Sequence, residues 1–505
     1  MRIETERGRM ETLTAYKDHL RQIGKLESAL ALLHWDQRTN LPEQGKDARA
    51  EVIGELSKRA FALSISDELG HYLEELNGQA GLSSTDAASV RVVGKVYRRH
   101  RAISPELYER FAIARSKSET AWEKARESSD FSLFQPHLEA MVDFARQFAE
   151  SYGYEENPYD ALIEEYEPGM RAAELNEIID SLRQRLVPFI TRLMKGGKRP
   201  DTGFLSGDFS LRRQRELSLK ALTTMGYDFT GGRLDTTVHP FTITTGPGDV
   251  RVTTRFIEGN LLSGLFSSMH EGGHALYEQG IPARLHWSGL ESGASYGLHE
   301  SQSRLWENMI GRSLAFWTFF QPLVAGLFPD LSSLNAEQLY RAANVVSPSL
   351  IRVEADEVTY NLHIMLRFEL EEALINGEIS VSELPQRWRA AMEDYLGIVP
   401  DDDAHGVLQD VHWSAGMFGY FPSYMLGNLY SAQIFDKMKQ EIDDVEDKIA
   451  GGEFAELRSW LREKIHRFGK IYEPKELIER CTGAPPDPSY FIRYITEKYS
   501  EVYCL

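Results

Sequence analysis

Apolar residues recur at three- and four-residue spacing from Thr12 to Leu32, from Ala48 to Leu76 and from Ala87 to Tyr97, and each stretch predicts an amphipathic helix. Segments rich in Ala, Glu, Leu, Arg and Lys continue to about Met194, with Pro and Gly falling mostly between the periodic stretches. After the loop KGGKRPDTGFLSGD, a helix is predicted from Leu211 to Thr224, with Gly226 placed to end it. The period then changes. DTTVHPFTITTGPGDVRVTTRF alternates and is rich in Thr and Val, so Phe241–Thr245 and Val250–Phe256 read as a hairpin turned at Gly-Pro-Gly-Asp. Helical spacing returns and runs to the C-terminus, interrupted by GMFGYFPSYMLGN. The expected class is mainly α with one small β element. Without a Pro/Ser linker or an internal repeat, residues 1–505 read as one body, with lobes of about 1–200 and 201–505 meeting near residues 195–210.

Composition narrows the function classes. With 505 residues, 42% of them hydrophobic, the chain can bury a large core, which excludes global disorder. Its 76 acidic residues against 56 basic ones give a net charge of −20, which would repel phosphate over most of the surface and argues against nucleic acid as a partner. No apolar run is long enough for a membrane span, and the charged N-terminal residues lack a signal-peptide core. Cys481 and Cys504 have no metal-type spacing and cannot form a disulfide framework, so a cytoplasmic setting is expected.

The chemistry centres on MHEGGHALYEQG. His270, Glu271 and His274 form H-E-x-x-H, which on a helix puts two imidazoles on one face within reach of one Zn²⁺. Glu271, one residue round, can then contact a water bound to the metal. An apolar stripe from Leu262 to Leu276 supports a helix, and Gly280-Ile281-Pro282 stops it. Gly272 and Gly273 cost about 1 kcal/mol each relative to Ala, which implies that something packs closely on that turn. A catalytic site needs a third protein ligand and an open position. The metzincin pattern fails, because Tyr277 and Gly280 stand at its Gly and His positions. The helical segment SYGLHESQSRLWENMIGRSLAFW offers Glu300 as the preferred ligand, with His299 read as a supporting histidine and Glu307 as the rival ligand.

With these residues in hand, the sequence resembles the thermostable carboxypeptidase 1 (carboxypeptidase Taq) family of zinc metallocarboxypeptidases. Six motifs occur in that family's order: His239-Pro240-Phe241, Asp249 to Thr253, His270 to His274, His299 to Gln302, Ile351 to Asp356 and Gly406 to Trp413. Trp35-Asp36-Gln37 and YDALIEEYEPGM (159–170) also resemble family members. The resemblance implies a two-lobed helical fold with a deep substrate groove and a small sheet beside the zinc helix, similar to the neurolysin and angiotensin-converting-enzyme architecture. It implies His270, His274 and Glu300 as metal ligands, Glu271 as general base and acid, and Zn²⁺, or Co²⁺ in its place. It further implies release of single C-terminal amino acids with broad specificity, and a homodimer.

A carboxypeptidase must hold a free carboxylate, and Arg suits this through its bidentate fork. Arg352 is the first candidate. Periodicity alone makes it part of a solvated polar face of one long helix begun at SPSL, paired with Asp356 one turn on; the family motif favours a substrate role. Arg251 on the hairpin is the second candidate, and His239 is a candidate groove residue. An oxyanion needs a donor opposite the metal. His412 with Tyr424 is favoured by the resemblance, with Tyr420 in reserve, against core packing of these aromatics. Glu164, Glu165 and Glu167 read as a solvated acidic face. The rival functions are an oligopeptidase cutting internal bonds and a helical scaffold with a structural metal.

Overall fold

The computed structural model describes residues 2–505, with side chains from Met10 onward. The first third is helical: α1 (Arg2–Thr39), α2 (Lys46–Ser64), α3 (Asp67–Leu76), α4 (Ser84–Ala102), α5 (Pro105–Ser128), α6 (Gln135–Tyr152), α7 (Pro158–Tyr166) and α8 (Ala172–Gly196). The stretch expected as one helix from Ala48 to Leu76 is two, because the Ser66 side chain caps α3 by accepting from the Leu69 N–H. Helix α9 (Leu211–Met225) ends as expected at Gly226, with φ 91°.

Three strands follow: β1 (Leu234–Thr236), β2 (Thr242–Gly246) and β3 (Asp249–Thr254). The sheet order is β1-β3-β2, with β2 antiparallel and β1 parallel to β3. The hairpin was expected; β1 was not, because three residues are too few to show a period. Strand β2 is an edge, the position from which an extended chain can be bound.

Helix α10 (Leu261–Gly280) carries H-E-x-x-H, and α11 (Tyr296–Arg304) runs into a wide π turn at Leu305–Ile310 before α12 (Leu314–Leu327) and α13 (Ala336–Ala343). Helices α14 (Tyr360–Asn376), α15 (Leu384–Leu396) and α16 (Pro422–Glu441) come next, and helices continue to the C-terminus. The long helix expected from SPSL is a correction: α14 starts only at Tyr360. The Asp356 carboxylate accepts from the N–H groups of Ser347, Val358 and Thr359 at 2.9–3.0 Å, and such side-chain-to-backbone bonds compete with the helix.

One continuous apolar core gathers residues from Ala88 to Tyr503 and crosses the 195–210 connection. A smaller core of Tyr16, Leu20, Ile23, Leu69, Leu73, Leu76 and Val90 serves the N-terminal helices. Among the described residues no helix is long and apolar enough to cross a membrane.

Candidate metal centre

Helix α10 is buried on most of its faces. A Cβ on Gly272 would lie 2.6 Å from Leu222 of α9, and one on Gly273 would lie 2.5 Å from the Gln302 carbonyl oxygen of α11. The two glycines therefore let neighbouring helices close on the motif. This brings Glu300 to the histidines: its Oε2 is 3.5 Å from His270 Nε2 and 3.4 Å from His274 Nε2. From the other side, Gly427 of α16 leaves the room that the Glu300 side chain fills.

Two imidazole nitrogens and one carboxylate oxygen converge, all within 4.8 Å of one another. This donor set suits a divalent zinc-like ion. Both imidazoles are held from behind. His270 Nδ1 lies 2.9 Å from Glu307 Oε2, and His274 Nδ1 lies 2.6 Å from His299 Nδ1. Glu307 thus stands behind His270 rather than among the three converging donors. Arg304 donates Nε–H to Glu300 Oε1 at 2.7 Å. Burial opposes the charge on Glu300, but Arg304 and the histidines outweigh it and hold its carboxyl far below the usual range. Burial pushes His274 down to about 4, which leaves an unprotonated imidazole at neutral pH.

Glu271 stays out of the converging set. It is 7% exposed and accepts a hydrogen bond from Thr242 Oγ1 of β2 at 2.7 Å. Burial raises its pKa, which makes it able both to take and to return a proton.

A second polar cluster stands close by. Arg352 donates from Nε and Nη2 to Asp410 Oδ1 at 3.0 and 2.8 Å, and from Nη1 to the Tyr360 hydroxyl at 2.9 Å. Arg367 donates Nε–H to the other oxygen of Asp410 at 2.7 Å. The expected Arg352–Asp356 pair is thus corrected: Arg352 sits on a short 3₁₀ turn, and Asp356 is used by backbone N–H groups. The two clusters join at Tyr360, since the Arg304 guanidinium lies 4.5 Å from its ring centre while Arg352 holds its hydroxyl. His412 Nε2 lies 3.4 Å from the Tyr424 hydroxyl, and the Tyr420 and Tyr424 rings are 5.2 Å apart. The Arg352 guanidinium is 4.8 Å from the Tyr424 ring centre.

The profile of the Carboxypeptidase Taq (M32) metallopeptidase family matches residues 15–499. The chain belongs to this M32 family. It is 43% identical to carboxypeptidase 1 of Bacillus subtilis over 490 residues, covering 97% of this chain and 98% of that one. It is also 43% identical to thermostable carboxypeptidase 1 of Thermus thermophilus, covering 96% and 97%. Its fold matches the crystal structure of the M32 carboxypeptidase from Deinococcus radiodurans R1 with a TM-score of 0.96 at 37% identity, over 98% of this chain and 100% of that one. The H-E-x-x-H helix and its carboxylate partner are thus the candidate metal site of an M32 metallocarboxypeptidase.

In this M32 chain, the other candidates fall as follows. Arg251 is engaged by Asp249, at 2.6 Å, and by the Trp35 ring, whose centre is 4.3 Å away. His239 is exposed at the turn before β2. Glu167 is not part of a solvated face: it is 1% exposed and accepts from Tyr430 Oη at 2.9 Å and from the Gly297 N–H at 3.1 Å, at the start of α11. Burial pushes its carboxyl up to about 7. A cavity of about 850 Å³ borders the edge strand β2 and is lined by Ser28, Thr242, Thr244, Glu278, Trp287 and His299. Thr242, Tyr360 and Asp410 were missed as site residues. Thr242 and Asp410 act on partners 29 and 58 positions away, beyond any local period, and Tyr360 meets Arg352 eight positions off only through the 3₁₀ turn that replaces the expected helix.

Proposed function

We propose that this protein removes single amino acids from the free C-terminus of peptides, with Arg352 receiving the terminal carboxylate. One observation carries the reading. Two buried guanidiniums, Arg352 and Arg367, share the single carboxylate of Asp410. Among these three side chains one positive charge is in excess, in a water-poor place where an arriving carboxylate is favoured. Arg352 uses three of its five N–H groups on Asp410 and Tyr360, so two can still donate.

His270, His274 and Glu300 would hold the metal ion, which when bound supplies Lewis acidity toward a water and the scissile carbonyl. Glu271 takes the proton of the attacking water on its carboxylate and returns it to the leaving amine nitrogen. Thr242 Oγ1 orients that carboxylate. His412 Nε2–H and the Tyr424 hydroxyl are the donors for the developing oxyanion, with Tyr420 packed beside them. The edge of β2 aligns the chain on the amino side of the cut. Zn²⁺ as the resident ion, Co²⁺ as a substitute and a homodimer complete the reading, and metal analysis and sedimentation test them.

The deciding experiment compares an N-acetylated peptide with its C-terminal amide, using metal-loaded protein and mass spectrometry. A ladder of single-residue losses from the free acid alone is expected. Internal cuts in both peptides would point to an oligopeptidase, and cleavage of neither would leave a structural metal site.

A further inference from the structure

The segment from Gln409 to Phe421 carries His412 and Tyr420, yet it contains neither an α-helix nor a strand. Turn hydrogen bonds such as Met417 N–H to the His412 carbonyl at 2.9 Å shape its middle, and groups outside it anchor its ends. Helix α14 supplies them from two side chains one turn apart. Arg367 donates to Asp410, and its Nη2 donates to Gln409 Oε1 at 2.8 Å. Four residues on, Glu371 is fully buried and accepts three hydrogen bonds. They come from Trp413 Nε1 at 2.7 Å, from the Gly419 N–H at 2.9 Å and from the Tyr159 hydroxyl at 2.5 Å.

The placement of the donors is the point. Trp413 directly follows His412, and Gly419 directly precedes Tyr420. One carboxylate therefore ties both ends of the 413–419 loop to the same spot on α14. The third donor comes from α7, whose backbone at Leu162 lies against Gly419, at 2.7 Å from where a Cβ would stand. This gives a task to the YDALIEEYEPGM segment, which the chemistry itself leaves unused. Packing alone would call for an apolar side chain at position 371, because a buried carboxylate is costly unless its lone pairs are filled. Burial pushes its carboxyl up to about 7, with the three donors working in the other direction.

We propose that Glu371 is a positioning residue of the peptidase reaction: by pinning Trp413 and Gly419 it holds His412 and Tyr420 in place opposite the metal site. The proposal rests on the carboxypeptidase reading for its effect on turnover, and on geometry alone for its effect on the loop. Glu371→Gln keeps the shape but brings an N–H₂ group against donors. Tyr159→Phe removes one hydroxyl and leaves the loop itself untouched, so it serves if the first variant folds poorly.

The test uses the metal-loaded full-length protein and two readouts. In the first, kcat and KM are measured on an N-acetylated free-acid peptide. Glu371→Gln should lower kcat about 10- to 100-fold with KM changed less than about threefold, and Tyr159→Phe should lower kcat by a smaller factor. In the second, backbone hydrogen exchange is followed by mass spectrometry. Exchange of the 409–421 segment should rise at least about tenfold in Glu371→Gln while that of α10 stays at the wild-type rate. Unchanged kcat in both variants, or faster exchange spread over the whole chain, would overturn the positioning role. If the wild type cleaves no peptide, the carboxypeptidase reading falls on its own, and unchanged exchange at 409–421 in Glu371→Gln would still overturn the loop assignment.

Discussion

His274 and His299 meet Nδ1 to Nδ1 at 2.6 Å. One ring must donate and the other accept. The Nε2 of His274 faces Glu300, and a metal held there requires that nitrogen to be bare, so the proton of His274 sits on Nδ1. His299 then accepts, and its own proton lies on Nε2, 2.8 Å from Glu278 Oε1. The other oxygen of Glu278 accepts from Thr244 Oγ1 at 2.9 Å. Both imidazole bonds thus run toward one carboxylate anchored to β2. Glu278→Gln should weaken metal binding by about 10- to 100-fold without changing the three converging donors. Competition against a chelator measures this, and an unchanged affinity would refute the tautomer assignment.

The two arginines on Asp410 should separate function from stability. Arg352→Ala leaves Asp410 still paired with Arg367, one charge against one. The fold should lose little. The kcat/KM on free-acid peptides should fall by at least about 10- to 100-fold, the range that follows from 1.5–3 kcal/mol for a hydrogen bond to a charged group. Arg367→Ala also strips Gln409 and the His363 carbonyl of a donor. It should cost about 3–5 kcal/mol of stability. Urea unfolding of the two variants checks the contrast, and equal destabilisation would sink it.

What could be read from the sequence follows the range of the interaction. Helix α10 was legible to its last turn, since a stripe, a motif and a stop signal all lie within twenty residues. The convergence of Glu300 on the two histidines was legible because a catalytic metal site needs a third protein ligand and the next helical segment offered few. The turn at Arg352 was not. Its neighbours favour a helix by period, and the element that overrules them is Asp356 reaching back to Ser347. The partner of Arg352 lies 58 residues on, inside a segment with no period. Glu167 failed for the opposite reason: three acidic residues within four positions look solvated, and only the tertiary fold shows that one of them faces the start of α11.

Acid titration offers an independent view of His412. Burial outweighs the attraction of Asp410 and pushes His412 down to about 4. In the unfolded chain a histidine titrates near 6.5. As the pH falls through this interval the unfolded state takes the proton first, so the folded state loses stability between about 6.5 and 4. For an imidazole buried this deeply the loss amounts to up to about 3 kcal/mol. Other groups titrate in the same interval, so the quantity to measure is the difference between wild type and His412→Gln in urea unfolding from pH 7 to pH 4. The variant should lose less stability than the wild type over that range. Parallel curves would mean that His412 carries its proton in the fold.

The paired glycines of the motif give the sharpest test of how the metal site is assembled. A methyl group on Gly273 would stand 2.5 Å from the Gln302 carbonyl oxygen and 2.7 Å from Ser303 Cα. Both are backbone atoms of α11 and cannot turn aside, so α10 and α11 must separate. His270 and His274 ride on one of these helices and Glu300 on the other. Gly273→Ala should therefore weaken metal affinity by at least about tenfold, and overpacking should cost about 1–3 kcal/mol, more than the roughly 1 kcal/mol that Ala gains over Gly in a helix. A methyl group on Gly272 meets only the ends of Leu222 and Met225, at 2.6 and 2.9 Å. Those side chains can rotate away, so Gly272→Ala should keep its metal and most of its stability. Chelator competition and urea unfolding of the two variants decide the matter. Equal metal loss in both would mean that the α10–α11 contact does not set the spacing between the histidines and Glu300.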